Sequence, residues 1–305
     1  MAAKVFIDGE HGTTGLEIHE RLRGRTDVDL LHVPHADRRD RSARERLLRE
    51  ADIAILCLPD DASREAAAMV EDHGTRLIDA STAHRTHPDW TFGFVELTRG
   101  QRERIAASDR VSNPGCYSTG AIALVRPLRE AGILSSDARL TIPAVSGYSG
   151  GGKALIAEME DGGNAPPHFA YALGQEHKHL PEIVLHGLLD HAPLFLPSVG
   201  RFRQGMIVQL PLHLEPLGTT REALHAALSD HYADAAHVSV APLENRERVD
   251  PTALNGTDDM RLHVFGNDER ANLVAVLDNL GKGASGACVQ SLDLMLGREG
   301  LRRAA

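Results

Sequence analysis

Short apolar runs alternate with amphipathic segments along the first 115 residues of the chain. Each apolar run has the length and the aliphatic or β-branched composition of a buried strand; these runs are 4–8, 28–33, 51–60 and 75–81. The segments between them have a polar, helix-like composition and are 16–25, 38–50 and 61–73. Strands that alternate with helices predict a parallel sheet with helices on both faces, which is a Rossmann-like, doubly wound α/β fold.

The pattern changes in the second part of the chain. The small and apolar residues of 117–130 predict a helix of about four turns, and 140–145 predicts a strand. Further on, 199–214 and 259–280 alternate between apolar and polar positions, which predicts antiparallel strands. The middle of the chain is therefore expected to form a second, α+β domain.

The composition excludes several classes of protein. With 305 residues, 42% hydrophobic and 25% charged, the chain is long enough for two ordinary folded domains. A net charge of −10 argues against general nucleic-acid binding. The N-terminus has no signal-peptide pattern, and no apolar run approaches the roughly 18 residues of a membrane helix. Three cysteines give no disulfide framework, so we expect a protein of the reducing cytoplasm.

Three glycines, Gly9, Gly12 and Gly15, lie between the first predicted strand and the first predicted helix, with Thr13 and Thr14 between the last two. Glycine at this position lets backbone amides approach the pyrophosphate of a dinucleotide at the helix N-terminus. The spacing G-x-x-G-x-x-G differs from the usual G-x-G-x-x-G, and a plain tight turn is the alternative interpretation.

Arginines near the end of the second strand bear on the choice of cofactor. NADP-dependent enzymes favour arginine there for the 2′-phosphate, whereas NAD-dependent enzymes place an acidic residue there. Arg38 and Arg39 follow the strand and favour NADP(H), although Asp37 precedes them. The alternative is a solvated start of a charged helix.

Cys116 follows Asn-Pro-Gly and stands at the start of the helix predicted for 117–130. A thiol at a helix N-terminus lies at the positive end of the macrodipole, which lowers its pKa and favours the nucleophilic thiolate. The amides there, together with Asn113, are suited to stabilise an oxyanion. Cys57 and Cys288 lie among apolar residues and are interpreted as buried core cysteines.

The segment GQEHKHLPEI, 174–183, supplies the acid–base candidates His177 and His179, followed by Glu182. The H-x-H pair also suits a metal, but no third soft ligand follows nearby, so no metal is expected. A glycine–serine loop, SGYSGGGK, contains Ser149 and ends in Lys153, and it is interpreted as an anion-binding loop rather than a flexible connection. Further candidates for substrate binding, at the carboxyl edge of the sheet, are Ser81 and Arg85.

Taken together, these stretches resemble the N-acetyl-γ-glutamyl-phosphate reductases of arginine biosynthesis, and specifically their shorter type. The resemblance rests on GEHGTTG, SNPGCYSTGAIAL, SGYSGGGK, GQEHKHLPEI and DNLGKGASGACVQSLDLMLG, which extend from residue 9 to 297. Glycine replaces the alanine of the family's S-G-x-S-G-A-G loop, and STAHR stands where longer members have an aspartate-phenylalanine-arginine run. The chain resembles the aspartate-semialdehyde dehydrogenases more distantly.

The resemblance implies NADPH-dependent reduction of an acyl phosphate to a semialdehyde through a thioester on Cys116, with His177 as acid–base. His179 and Glu182 would then support the site or contact substrate. It also implies that the C-terminal helix returns to the cofactor domain, with Lys282 in the preceding turn near the cofactor. The expected domains are 1–115 plus 280–305 for the dinucleotide and 116–279 for the substrate and for dimer or tetramer contacts. Aspartyl phosphate, aminoadipyl phosphate and a non-catalytic nucleotide sensor remain alternatives.

Overall fold

A computed structural model describes residues 2–34, 36–38, 40–160 and 165–298 of the protein. The chain folds as two compact units. The first comprises Met1–Val95, Gly100–Pro114 and Ala284–Ala305, and the second comprises Glu96–Arg99 and Gly115–Gly283. No helix among the described ranges has the length and apolar character needed to cross a membrane.

Strands and helices alternate through most of the described residues. The strands are β1 (Ala3–Asp8), β2 (Val28–Leu31), β3 (Ile53–Leu56), β4 (Arg76–Asp79), β5 (Thr91–Phe92), β6 (Arg110–Ser112), β7 (Thr141–Gly147), β8 (His168–Ala170), β9 (Leu194–Gly200), β10 (Met206–His213), β11 (Val238–Val240), β12 (Met260–Gly266) and β13 (Arg270–Leu277). The α-helices are α1 (Thr13–Leu22), α2 (Arg41–Glu50), α3 (Asp60–Ala68), α4 (Gln101–Ala107), α5 (Cys116–Glu130), α6 (Gly152–Glu160), α7 (Leu180–His186), α8 (Arg221–His231) and α9 (Gly286–Met295).

The sheet of the first unit is parallel throughout, in the order β2-β1-β3-β4-β6-β5. Buried aliphatic side chains form a separate cluster on each face of this sheet. The predicted Rossmann-like α/β fold is therefore confirmed. The strand order reverses between β1 and β3, and ligands of such sheets bind at the crevice outside the strands' carboxyl ends at this point.

Two helices differ in length from the sequence prediction. Helix α2 begins at Arg41 rather than at 38, because the Asp40 side chain accepts a hydrogen bond from the Ala43 N–H and caps the helix there. Helix α3 ends at Ala68, and turns rather than helix occupy the residues up to 73. These are boundary effects that residue periodicity does not resolve.

The second unit has a mixed sheet in the order β11-β12-β13-β10-β7-β9-β8. The predicted antiparallel pairing is present in β10, β12 and β13, whereas β7 pairs with β9 in parallel. Helix α5 packs closely against this sheet, since a Cβ at Gly120 would lie 2.7 Å from Val208 Cγ2. On β9, Leu194 and Leu196 are 57% and 47% exposed while the intervening Phe195 is buried.

Candidate active site

The glycine turn that follows β1 is held by close backbone contacts. Gly9 has a φ of +93°, and a Cβ there would overlap the carbonyl oxygen of Cys57 at the end of β3. A Cβ at Gly15 would overlap the carbonyl oxygen of Gly9. Gly12, whose N–H donates to the Gly9 carbonyl over 3.0 Å, caps α1. The first amides of α1 therefore lie at the point where the strand order reverses, and the cradle fits a dinucleotide pyrophosphate.

The described residues 36–38, which follow β2, are exposed. Arg38 lies on the surface in a turn that precedes α2, next to Asp37. Arg39, the other arginine predicted to select NADP(H), lies outside the described residues. Thr13 and Thr14 form the start of α1 and are half-buried.

At the end of β4, a buried carboxylate organises the segment that contains Ser81 and Arg85. Asp79 accepts hydrogen bonds from the hydroxyls of Ser63 and Ser81, and His84 Nδ1 lies 2.6 Å from its Oδ2. Although burial opposes the shift, these hydrogen bonds lower the pKa of Asp79, so the carboxylate stays ionised. Arg85 is buried and donates from Nη2 to the Ala80 carbonyl at 3.1 Å.

Asn113 follows β6 in the first unit and is buried. Its Nδ2 donates to the Ala284 carbonyl over 3.0 Å, whereas its Oδ1 has no hydrogen-bond partner among the described residues. This hydrogen bond sets the orientation of the amide. The side chain therefore offers a ligand an acceptor, while one of its two N–H donors is engaged by the Ala284 carbonyl.

In the second unit, Cys116 is the first residue of α5 and is partly exposed. The preceding Gly115 donates its N–H to Glu182 Oε2 over 3.2 Å, and its carbonyl accepts from the hydroxyls of Ser118 and Thr119. The thiol thus stands at a fixed helix N-terminus, where free amides favour an anion.

Cys57 and Cys288, the other two cysteines, lie in the first unit among apolar side chains. Burial, together with the charges of Asp79 and Asp8, raises the pKa of Cys57 to about 12. Burial likewise raises the pKa of Cys288 well above its ordinary value. Both thiols are therefore protonated near neutral pH. Cys288 is a buried core cysteine, as predicted, whereas Cys57 is only partly buried and packs against the edge of the same core cluster.

The glycine-rich turn before α9 packs directly on Cys116. A Cβ at Gly283 would lie 2.8 Å from Cys116 Cβ, which is closer than real Cβ atoms approach. The Gly283 N–H donates to the Asp278 carbonyl over 2.9 Å, and the buried Asp278 carboxylate accepts from the N–H groups of Gly256 and Leu280. Lys282 in this turn is fully buried, and its Nζ lies 2.6 Å from Glu96 Oε2.

His177 lies in a loop held in an uncommon backbone conformation. Ala172 and Gln175 have φ values of +51° and +59°, and the Gln175 amide both donates to and accepts from the Phe195 backbone at 3.0 Å. His177 Nδ1 accepts from the His179 N–H at 3.1 Å. The neutral ring therefore carries its proton on Nε2, the nitrogen that lies 3.3 Å from the Tyr171 hydroxyl.

Tyr171 is a site residue that the sequence analysis missed. Burial and, secondly, the charge of Cys116 raise the pKa of Tyr171 to about 12. A neutral hydroxyl is thus placed near the cysteine and next to His177. A lone tyrosine in a short apolar run carries no local signal that would have revealed it.

The remaining predicted residues differ in burial. His179 and Glu182 are both buried, with His179 Nε2 4.0 Å from Glu182 Oε1. Ser149 is buried and accepts from Asn279 Nδ2 over 2.9 Å. Lys153 is exposed at the start of α6. The second unit therefore brings Glu182 to the backbone that precedes Cys116, and it leaves Lys153 on the surface.

Both units match known families. Residues 35–106 match the family model described as the semialdehyde dehydrogenase NAD binding domain, and residues 116–279 match the semialdehyde dehydrogenase dimerisation domain. An aspartate semialdehyde dehydrogenase from Francisella tularensis has the same fold, with a TM-score of 0.70 and 16% identity, over 97% of this chain and all (100%) of that one. The fold and the domain pair thus define a semialdehyde dehydrogenase-type oxidoreductase, and the NAD-binding domain indicates a nicotinamide cofactor.

Relatives with high sequence identity specify the family within this class of oxidoreductases. The N-acetyl-gamma-glutamyl-phosphate reductase of Rhizobium meliloti is 59% identical, over 97% of this chain and 99% of the relative. The protein of the same name from Brucella suis is 57% identical, over 98% of this chain and 100% of the relative. The chain belongs to the N-acetyl-gamma-glutamyl-phosphate reductase family, as the sequence motifs indicate.

We expect Gly283→Ala to lower kcat on the order of 10²-fold, because the added methyl must displace Cys116 from its position at the start of α5. Steady-state kinetics measure this effect. Gly74→Ala is the matched control, since a Cβ there meets no atom within 4 Å, and its kcat should be unchanged. Equal kcat values for both variants would show that the contact with Gly283 does not position the cysteine.

Proposed function

We propose that the protein reduces N-acetyl-γ-glutamyl phosphate to the corresponding semialdehyde, with release of phosphate, as a step of arginine biosynthesis. NADP(H) is the proposed cofactor and supplies a hydride when bound. The observation that carries the proposal is the placement of Cys116 at the first turn of α5, with the preceding N–H held by Glu182. The names and the high identity of the relatives support the choice of substrate.

In the proposed chemistry, the Cys116 thiolate attacks the acyl carbon and the bond to the phosphate oxygen breaks, which leaves a thioester on Cys116 and releases phosphate. The bound cofactor would supply the hydride that reduces this thioester, after which Cys116 would leave as the thiolate and release the aldehyde. One proton is taken up overall, because the acyl phosphate and NADPH become the aldehyde, NADP⁺ and inorganic phosphate. The amides of the first turn of α5 are placed to stabilise the developing oxyanion.

His177 is the proposed acid–base residue, and His179 is proposed to support it. Support comes from the partial exposure of His177 and from the hydrogen bond that its Nδ1 accepts from the His179 N–H. Its Nε2 lies next to the Tyr171 hydroxyl. His179 is buried against Glu182 instead. We propose Tyr171 as a neutral donor beside the same oxygen.

Glycine loops and basic side chains are the proposed ligands for the anionic groups of the cofactor and the substrate. Gly9, Gly12 and Gly15, with Thr13 and Thr14, would hold the pyrophosphate, and Arg38 and Arg39 the 2′-phosphate. Ser81, Arg85, Asn113, Ser149 and Lys153 are the proposed substrate contacts. Since Lys282 is paired with Glu96, its proposed contribution to cofactor binding is indirect, through fixing the 281–285 turn. A cytoplasmic location is proposed because none of the three cysteines, all of which lie in the described residues, forms a disulfide.

The activity is tested in the reverse direction. With N-acetylglutamate semialdehyde and inorganic phosphate, we expect rapid reduction of NADP⁺, followed by absorbance of the reduced cofactor. Aspartate semialdehyde and the homologous aminoadipate semialdehyde are the competing substrates, and NAD⁺ is the competing cofactor. A higher kcat/KM for one of these aldehydes would overturn the proposed substrate, and a higher value with NAD⁺ would overturn the proposed cofactor.

We expect the turnover of Cys116→Ser to fall by at least about 10³-fold while the variant still binds NADPH, because the serine hydroxyl is a much poorer nucleophile than the cysteine thiolate that it replaces. Cofactor fluorescence measures binding, and Cys288→Ala is the control that removes a buried, protonated thiol. Iodoacetamide should label Cys116 near neutral pH. Retained turnover in the serine variant would exclude the covalent route, and an unreactive Cys116 would favour a nucleotide sensor.

We further propose that the protein forms a dimer or tetramer through the second unit. The match of 116–279 to a dimerisation domain and the exposed Leu194 and Leu196 on one face of β9 support this. Light scattering after size exclusion should give the mass of an oligomer for the wild type and a lower mass for Leu194→Glu/Leu196→Glu. Leu16→Glu, an exposed leucine of the first unit, is the control. A monomeric wild type would contradict this proposal.

A further inference from the structure

Three potential metal ligands converge in the first unit, and the proposed chemistry uses none of them. Glu10 lies in the turn after β1, His19 lies on α1, and His32 directly follows β2. One ligand atom from each lies within 4.8 Å of the others. Three different elements of the fold therefore contribute to a single cluster.

The cluster has the geometry of an accessible pocket for a small ion. His32 Nδ1 lies 3.2 Å from Glu10 Oε2, and the His19 and His32 rings have centroids 5.5 Å apart at an angle of 54°. The side chain of Glu10 is only 13% exposed, whereas that of His32 is 57% exposed. The carboxylate is thus held in place by the fold, and the imidazole at the outer edge leaves a path from solvent.

We propose that Glu10, His19 and His32 bind a divalent transition-metal ion of the Zn²⁺ class. Two imidazole nitrogens and one carboxylate oxygen are a donor set that zinc accepts, with water in the remaining position. Magnesium and calcium prefer oxygen ligands and are disfavoured by the two imidazoles. The ligand atoms need to move closer together by only about an ångström, since zinc–ligand bonds of about 2.0–2.2 Å hold neighbouring ligand atoms roughly 3.4 Å apart.

The position of Glu10 couples this site to the cofactor site, a consequence that rests on the proposed function. Glu10 lies between Gly9 and Gly12 in the turn proposed to hold the pyrophosphate, and His32 lies at the end of β2, where the adenosine ribose of a dinucleotide binds. A metal ion that draws these residues together is expected to weaken NADPH binding. By linkage, NADPH must weaken metal binding by the same factor.

The site is tested by titration of the cofactor-free protein with Zn²⁺ in competition with a chromophoric chelator. We expect one zinc ion per chain in the Cys116→Ser background, in which the nucleophilic thiol cannot bind the metal. His19→Ala and His32→Ala should each weaken this binding by about tenfold or more. His73→Ala removes an exposed histidine of the same unit and is the matched control. Binding should be weaker at pH 5.5 than at pH 7.5, because the imidazoles must be deprotonated to bind.

Equal zinc affinity in the His19, His32 and His73 variants would overturn the proposal, as would the absence of stoichiometric binding in the serine background. Circular dichroism of each variant verifies that the fold is retained.

The coupling between the zinc site and the cofactor site is tested separately. Saturating zinc should raise the Kd of NADPH by about fivefold or more in the wild type and not in His19→Ala/His32→Ala. An unchanged Kd overturns the coupling. Failure of NADPH to bind without zinc overturns the proposed cofactor instead, and the zinc titration is unaffected by that outcome.

Discussion

The two candidate anion sites depend on glycine backbone packed so closely against its neighbours that an added Cβ would not fit. At the start of α1, Gly9 and Gly15 make such contacts, and at the start of α5, Gly283 lies against Cys116. Both places are the N-terminus of a helix, where backbone N–H groups favour an anion. The protein carries a net charge of −10, so these fixed partial charges reduce its need for exposed basic side chains in binding anionic ligands.

The backbone conformation of the loop that carries His177 has an energetic cost, and contacts with neighbouring residues offset it. The left-handed conformations of Ala172 and Gln175 each cost about 1–3 kcal/mol. The two hydrogen bonds between the Gln175 amide and the Phe195 backbone recover about 0.5–1.5 kcal/mol each. Packing of the aromatic rings of Tyr117 and Phe195 against His177 contributes further. These contacts hold the His177 ring in one orientation, which the acid–base role proposed for it would need.

A buried ion pair in each unit joins distant parts of the chain. Arg44 Nη2 lies 2.8 Å from Asp8 Oδ2 at the end of β1, and Lys282 Nζ pairs with Glu96. Removing one partner of such a pair typically costs 3–5 kcal/mol, because the other charge stays buried without compensation. These pairs therefore fix the segments that carry the glycine turn and the 281–285 turn.

Local patterns in the sequence determined the parallel sheet, the glycine turn after β1 and the cysteine at the start of α5, because strand periodicity, turn residues and helix starts depend on neighbouring residues. The mixed sheet, with β7 parallel to β9, was decided by tertiary structure. Tertiary structure also decided three contacts in the second unit: the hydrogen bond from Gly115 to Glu182, the burial of Lys282 against Glu96, and the position of Tyr171 near Cys116. Each of these joins residues far apart in sequence, and only the packing of the folded chain selects one such pairing from the many that the same side chains allow.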